Sequence, residues 1–162
     1  MKNIFASLLL LFSFVTLQSQ TLFTGKVIGI KDGDTVEILD SNNKKTTLRL
    51  AEVDCPERKQ AFGTRAKQFT SDQVYLRTIN YSVTNKDRYG RSVAKIYYGT
   101  KYLSAEIIKY GMGWHYKKHS KSKELARLEQ QARAKRVGLW IDPNPINPAD
   151  WRKAKRNASR KY

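Results

Sequence analysis

The spacing of apolar residues changes part-way along the chain. Leu22–Ile30 and Thr35–Leu39 are rich in Val, Ile, Thr and Phe, with the turn-forming run Lys31-Asp32-Gly33-Asp34 between them. This composition predicts two strands joined by a hairpin turn. Ser41-Asn42-Asn43-Lys44 marks a second turn, and a third strand is expected over Lys45–Val53. Within it, Leu48 and Leu50 flank Arg49, so period-two alternation sends the guanidinium to the face opposite the leucines. Residues 64–77 carry Ala66, Phe69 and Leu76 at near-helical spacing and predict a surface helix. Strand composition returns at Ile79–Val83 and Ser92–Tyr98, on either side of the turn-rich Asn85–Gly90. Leu103, Ile107 and Tyr110 then line a helix that Gly111 would end, and Leu125, Leu128 and Ala132 mark another that stops near Gly138. Strands lead and helices follow. The fold class expected is therefore α+β, mainly β: a five-stranded Greek-key barrel of the OB type with about three packed helices.

The two ends differ from this middle. Residues 1–20 run from a charged start through an apolar stretch, Ile4–Leu17, to polar Gln18-Ser19-Gln20. That is the layout of a signal peptide, with cleavage expected near Ser19-Gln20 and delivery to the periplasm or the exterior. The apolar stretch is short of the roughly 20 residues a stable span requires, so no lasting membrane association is expected after cleavage. Residues 21–142 would form one domain. Pro143, Pro145 and Pro148 discourage regular structure, so 143–162 reads as an extended, mobile basic tail, more a solvated terminus than a binding arm.

Charge narrows the partner. Lys and Arg number 31 against 14 Asp and Glu, a net +17 spread through the chain. A polyanion is favoured, though charge alone does not choose among nucleic acid, anionic membrane and acidic polysaccharide. The basic residues alternate with strand formers and build no long amphipathic helix, which ranks the membrane lowest. A single cysteine, Cys55, excludes an internal disulfide and a four-Cys zinc site. His115 and His119, with Lys117 and Lys118 between them, make a poor transition-metal cluster.

Three short segments combine charge with a turn or strand end: Asp32–Thr35, Arg49–Glu57 and Asp87–Arg91. Each alone has a plain structural reading. Asp-Gly is hairpin chemistry, Asp54-Cys55-Pro56-Glu57 has the form of a helix start, and Asp87-Arg88-Tyr89-Gly90-Arg91 suits a solvated hairpin. Taken in order, Asp-Gly-Asp-Thr-Val, Leu-Arg-Leu, Val-Asp-Cys-Pro-Glu and Asp-Arg-Tyr-Gly-Arg resemble the thermonuclease, or staphylococcal nuclease, family over about residues 22–142. The family's fold is an OB barrel with helices, in agreement with the order of elements read above.

The resemblance implies a calcium-dependent endonuclease that hydrolyses DNA and RNA and leaves 3′-phosphate ends. It places Asp34, Asp54 and the backbone carbonyl of Cys55 on one calcium ion, with Asp32 beside the metal site. Residue types alone leave calcium and magnesium open, since two carboxylates with substrate oxygens suit either. Glu57 corresponds to the general base, and Arg49 and Arg91 to arginines that grip the scissile phosphate through a planar fork. Arg88 and Tyr89 correspond to substrate-binding positions. Trp114 and Tyr116 could stack on bases or simply pack, and Tyr116 is carried as a substrate-binding candidate. Single-stranded nucleic acid is the expected partner and a monomer the expected state. The alternative is a noncatalytic OB module that binds nucleic acid, which would have no use for Glu57. Cys55 stands where Thr is familiar, and an exposed thiol there would be open to oxidation. The Arg58–Gly63 segment is also shorter than the corresponding loop of the best-known member.

Overall fold

The computed structural model describes residues 21–160; the expected leader lies outside them. In chain order the elements are β1 (Phe23–Asp32), β2 (Thr35–Asp40), β3 (Lys45–Leu50), β4 (Val53–Asp54), α1 (Gly63–Val74), β5 (Thr78–Lys86), β6 (Ser92–Tyr98), β7 (Lys101–Tyr102), α2 (Leu103–Lys109), β8 (Trp114–His115), α3 (Lys123–Ala134), a 3-10 turn (Gly138–Ile141) and α4 (Pro148–Ser159).

Five strands close on themselves. β1 pairs antiparallel with β2 along Gly25–Asp32 and with β5 along Phe23–Lys26, and register shifts at Val27/Gly29 and Ile30/Asp32 let it coil enough to serve both. β2 pairs with β3, β5 with β6, and a parallel contact between β3 and β6 shuts the barrel at Leu48↔Ser92, Arg49↔Val93 and Leu50↔Ala94. Closure removes the exposed edges that an open sheet would present. The expected OB-type α+β fold is thus observed. Val27, Val36, Ile38, Leu48, Ile79 and Ile96 fill the interior, and Leu103, Ile107 and Ile108 of α2 belong to the same buried cluster.

Three boundaries depart from the sequence expectation. The third strand ends at Leu50, because Glu52 takes a left-handed conformation (φ 66°) and turns the chain. Its carboxylate accepts hydrogen bonds from Tyr102 Oη and Ser120 Oγ, both at 2.9 Å, and pairs with Lys95 at 3.3 Å. Asp54-Cys55-Pro56-Glu57 starts no helix; α1 begins only at Gly63, after Phe62 enters the left-handed region. The tail is also not extended. Pro148 occupies the first turn of α4, where the missing N–H has no intrahelical acceptor anyway, and the Asn147 side chain caps Ala149 N at 2.9 Å. Proline here starts a helix and does not prevent one.

The helical side is locked by close backbone approach. Gly138 has φ +59°, and a Cβ there would run into the carbonyls of Gly111 and Tyr110. Leu139 N donates to Gly111 O at 2.8 Å across this contact. Gly138→Ala is expected to lower stability by about 2–4 kcal/mol, from left-handed strain plus overpacking. Urea unfolding checks this, and a change below about 0.5 kcal/mol would show that the contact relaxes freely.

Candidate active site

Asp34 sits at the tip of the β1–β2 hairpin, yet it is only 6% exposed. Gly33 explains this: a Cβ at that position would meet Ala66 Cβ and the side chain of Cys55, so only glycine lets the tip press beneath α1. Thr70 Oγ1 donates to Gly33 O at 2.6 Å and Leu50 N to Asp34 O at 2.8 Å, fixing the turn from two sides. The Asp34 carboxylate then accepts from Thr35 Oγ1 (3.0 Å) and Cys55 N (3.1 Å).

Asp54, 2% exposed, arrives from the opposite direction on β4, which pairs with β8 through Asp54↔Trp114. Arg49 lies between the two acids. Alternation along β3 buries Leu48 and Leu50 and turns Arg49 outward, as the spacing predicted. Its Nη1 lies 2.7 Å from Asp34 Oδ2 and its Nη2 3.0 Å from Asp54 Oδ1, so one planar fork spans both carboxylates. Burial alone would lower the Arg49 pKa, but the charges of Asp34 and Asp54 hold it above its usual value. The Tyr116 ring centroid is 6.0 Å from Arg49 Cζ, which puts this tyrosine beside the acids.

Glu57 stands in the irregular segment after β4. Its backbone N–H donates to Gln60 Oε1 (3.2 Å), while buried Gln60 donates through Nε2 to Ile146 O. Gln60 thereby ties the Glu57 segment to the approach of α4. From α4, Arg152 reaches Glu57 Oε1 at 2.7 Å and Asp54 Oδ2 at 2.8 Å. Burial opposes its charge, but these two carboxylates hold the Arg152 pKa above the usual value.

Arg91 stands apart from the acidic group, on the β5–β6 hairpin, two residues before the Val93 that pairs with Arg49. Asp87 fixes it: Oδ1 accepts from Tyr89 N (2.9 Å) and Arg91 N (3.0 Å), and Oδ2 accepts from Arg91 Nε (2.7 Å). Burial works against the Asp87 charge, but the Arg91 hydrogen bonds bring its pKa below the ordinary carboxylate value. Tyr89, 69% exposed, projects beside Arg88 and Arg91 with guanidinium carbons 4.8 and 5.6 Å from its ring centre. Asp32, Glu57, Arg88, Tyr89 and Arg152 all line one cleft of about 850 Å³.

A family model described as staphylococcal nuclease homologue matches residues 47–142. The chain belongs to the staphylococcal nuclease family. An uncharacterized endonuclease of Haemophilus influenzae is 41% identical over 94% of this chain and 85% of its own length. A micrococcal nuclease of Shigella flexneri is 36% identical over 85% of this chain and 84% of its own. A staphylococcal-like nuclease of Arabidopsis thaliana is 40% identical over 72% of this chain but only 36% of its own length.

In this member of the staphylococcal nuclease family, two buried acids of opposite origin have guanidinium groups as their ion-pair partners among the described residues. Among the described residues, no three His, Cys, Asp or Glu side chains converge as a metal cage. The donor set nevertheless fits a hard cation: paired buried carboxylates demand positive charge, and oxygen ligands leave positions for water and substrate. Two residues bearing on the site were assigned no role there from the sequence. Asp87 was visible as the first position of an Asx turn, and Arg152 as part of a helix announced by Asn-Pro.

Burial settles one open alternative and corrects one expectation. Trp114 is 6% exposed and packs edge-on against Trp140 with ring centres 5.2 Å apart, so it is a core residue and does not stack on bases. Cys55 is 3% exposed, not open to oxidation, and burial pushes its thiol well above the usual value, with Asp34 and Asp54 pushing the same way. Native protein is expected to react with a thiol reagent roughly 100-fold more slowly, or slower still, than the urea-unfolded chain. Equal rates in the two states would contradict the burial.

Proposed function

We propose that this protein is an exported, calcium-dependent endonuclease that hydrolyses single-stranded or locally opened DNA and RNA and leaves 3′-phosphate ends. The observation that carries the reading is the convergence of Asp34, Asp54 and Arg49, with Arg152 linking Asp54 to Glu57 at the cleft. The nuclease names of the relatives point the same way, and the apolar leader supports export.

Asp34 and Asp54 would hold the ion with the Cys55 carbonyl, and Asp32 would add negative charge nearby. Calcium bound there supplies positive charge that offsets the charge gathering on the phosphoryl oxygens. Glu57 accepts a proton from the attacking water, because its carboxylate is partly exposed and can meet solvent. As the water oxygen bonds to phosphorus, the P–O5′ bond breaks and the 5′ oxygen leaves, taking a proton from solvent. Arg49 and Arg91 donate to the non-bridging oxygens as the pentacoordinate state forms, each through two N–H groups on one plane. Asp87 keeps Arg91 aimed. Arg88, Tyr89 and Tyr116 contact the strand on either side of the reacting phosphate.

The test is cleavage of end-labelled single-stranded DNA and RNA by the purified mature protein, with calcium or with a chelator. Expected are calcium-dependent internal cuts and ends that a polymerase extends only after phosphatase treatment. Absence of cutting together with retained, salt-sensitive binding would make the protein a noncatalytic binding module.

A further inference from the structure

Helix α4 lies beyond residue 142, where the family match ends. It nevertheless lines the cleft, contributing Arg152, Lys155, Arg156 and Arg160 beside Glu57 and Tyr89. Arg152 is engaged with Asp54 and Glu57. Arg58, Lys59, Arg88, Lys155, Arg156 and Arg160 have no carboxylate partner among the described residues. A cleft that gathers this many uncompensated cations repels itself unless an anion enters it.

The arrangement is also periodic. Arg152, Arg156 and Arg160 recur every fourth residue, so they climb one side of α4 with a rise of about 6 Å per step. That step is close to the separation of neighbouring phosphates along a single strand. The first of the three touches the proposed base, so the ladder starts at the reacting position and leads away from it.

We propose that α4 is the second wall of the nucleic-acid cleft, with Arg156 and Arg160 binding successive phosphates of a single strand beyond the one that is cut. The inference rests on the nuclease reading of the site above. The bases then turn toward the opposite wall, where Tyr89 is the exposed aromatic ring. Two facing walls accommodate one strand between them, whereas a membrane surface would engage cations on a convex face and leave the carboxylates unused. The Gln60–Ile146 hydrogen bond just before α4 and the Arg152 ion pairs within it tie the helix to the Glu57 segment.

The experiment compares the full mature chain carrying Glu57→Gln with the same chain carrying Arg156→Gln and Arg160→Gln in addition. Affinity for single-stranded oligonucleotides of two to eight nucleotides is measured by fluorescence anisotropy over a range of salt, with thermal melts to confirm equal folding. In the Glu57→Gln protein, affinity is expected to climb with length up to the octamer. In the triple variant the climb stops early, the octamer binds roughly tenfold more weakly or worse, and the slope of log affinity against log salt falls by about 1.4, two lost contacts on a single strand. Unchanged length dependence and slope would overturn the proposal. Tighter binding by the triple variant would also overturn it, and would make α4 a cover over the site. If the Glu57→Gln protein binds no oligonucleotide at any salt, the nuclease reading itself fails, a result distinct from either.

Discussion

Glu57→Gln is expected to lower the cleavage rate by roughly 10²–10⁴-fold while leaving the affinity for single-stranded DNA nearly unchanged. Of the carboxylates at the site, Asp34 and Asp54 are buried and committed to Arg49, whereas the Glu57 side chain is 38% exposed at the cleft. Only a carboxylate that water can reach can take the proton as the new P–O bond forms. Gln retains the shape and the oxygen that accepts from Arg152, but it cannot take that proton. The loss should therefore fall on the rate of the chemical step in single-turnover kinetics, with binding preserved. A fall of less than about threefold would remove Glu57 from the mechanism. A parallel loss of affinity or of thermal stability would mean that its contact with Arg152 is structural.

The parts of this molecule that were legible in the sequence are the local ones. Alternation around Arg49 identified its face because a strand has period two and both neighbours are leucines. The hairpin at Gly33-Asp34 was legible for a similar reason, since two residues decide a tight turn. The parallel β3–β6 contact that closes the barrel was not, because it joins residues more than forty positions apart through backbone groups that carry no side-chain signature. Nor were β4 and β8, two residues each, too short to show any period.

The candidate site divides along the same line. The resemblance supplied the residues, but not which of them meet. Arg49 joins Asp34 and Asp54, while Arg91 is held on its own hairpin by Asp87. Arg152 was missed because Pro148 was weighed as a helix breaker. Its meaning depends on position: in the first turn, after an asparagine cap, proline has no hydrogen bond to lose. Trp114 was open between stacking on bases and packing, because a tryptophan in sequence carries no sign of which surface its ring meets, and its ring packs against Trp140.

The second large effect is expected at Arg49, where Lys should reduce cleavage by roughly 10²–10³-fold despite keeping the charge. The fork of Arg49 meets two different carboxylates at 2.7 and 3.0 Å from its two terminal nitrogens. The same pair of nitrogens can meet two oxygens of one phosphate, and an ammonium, a single point of charge on a flexible stem, cannot span either pair. Arg49→Ala separates geometry from charge. Among the described residues it leaves Asp34 buried without its ion-pair partner and Asp54 paired with Arg152, so the metal-free protein should lose about 3–5 kcal/mol of stability. Millimolar calcium should restore part of that loss, because an ion bound only by the folded state shifts the unfolding equilibrium. Urea unfolding of the wild type and both variants, with calcium and with chelator, reads all of these terms. Recovery in Arg49→Ala with calcium, without recovery of cleavage, would mean that the acids hold the ion and that Arg49 acts on the phosphate. An Arg49→Lys enzyme cutting within threefold of the wild type would mean that the forked geometry is irrelevant to the reaction, and that charge near the two acids suffices.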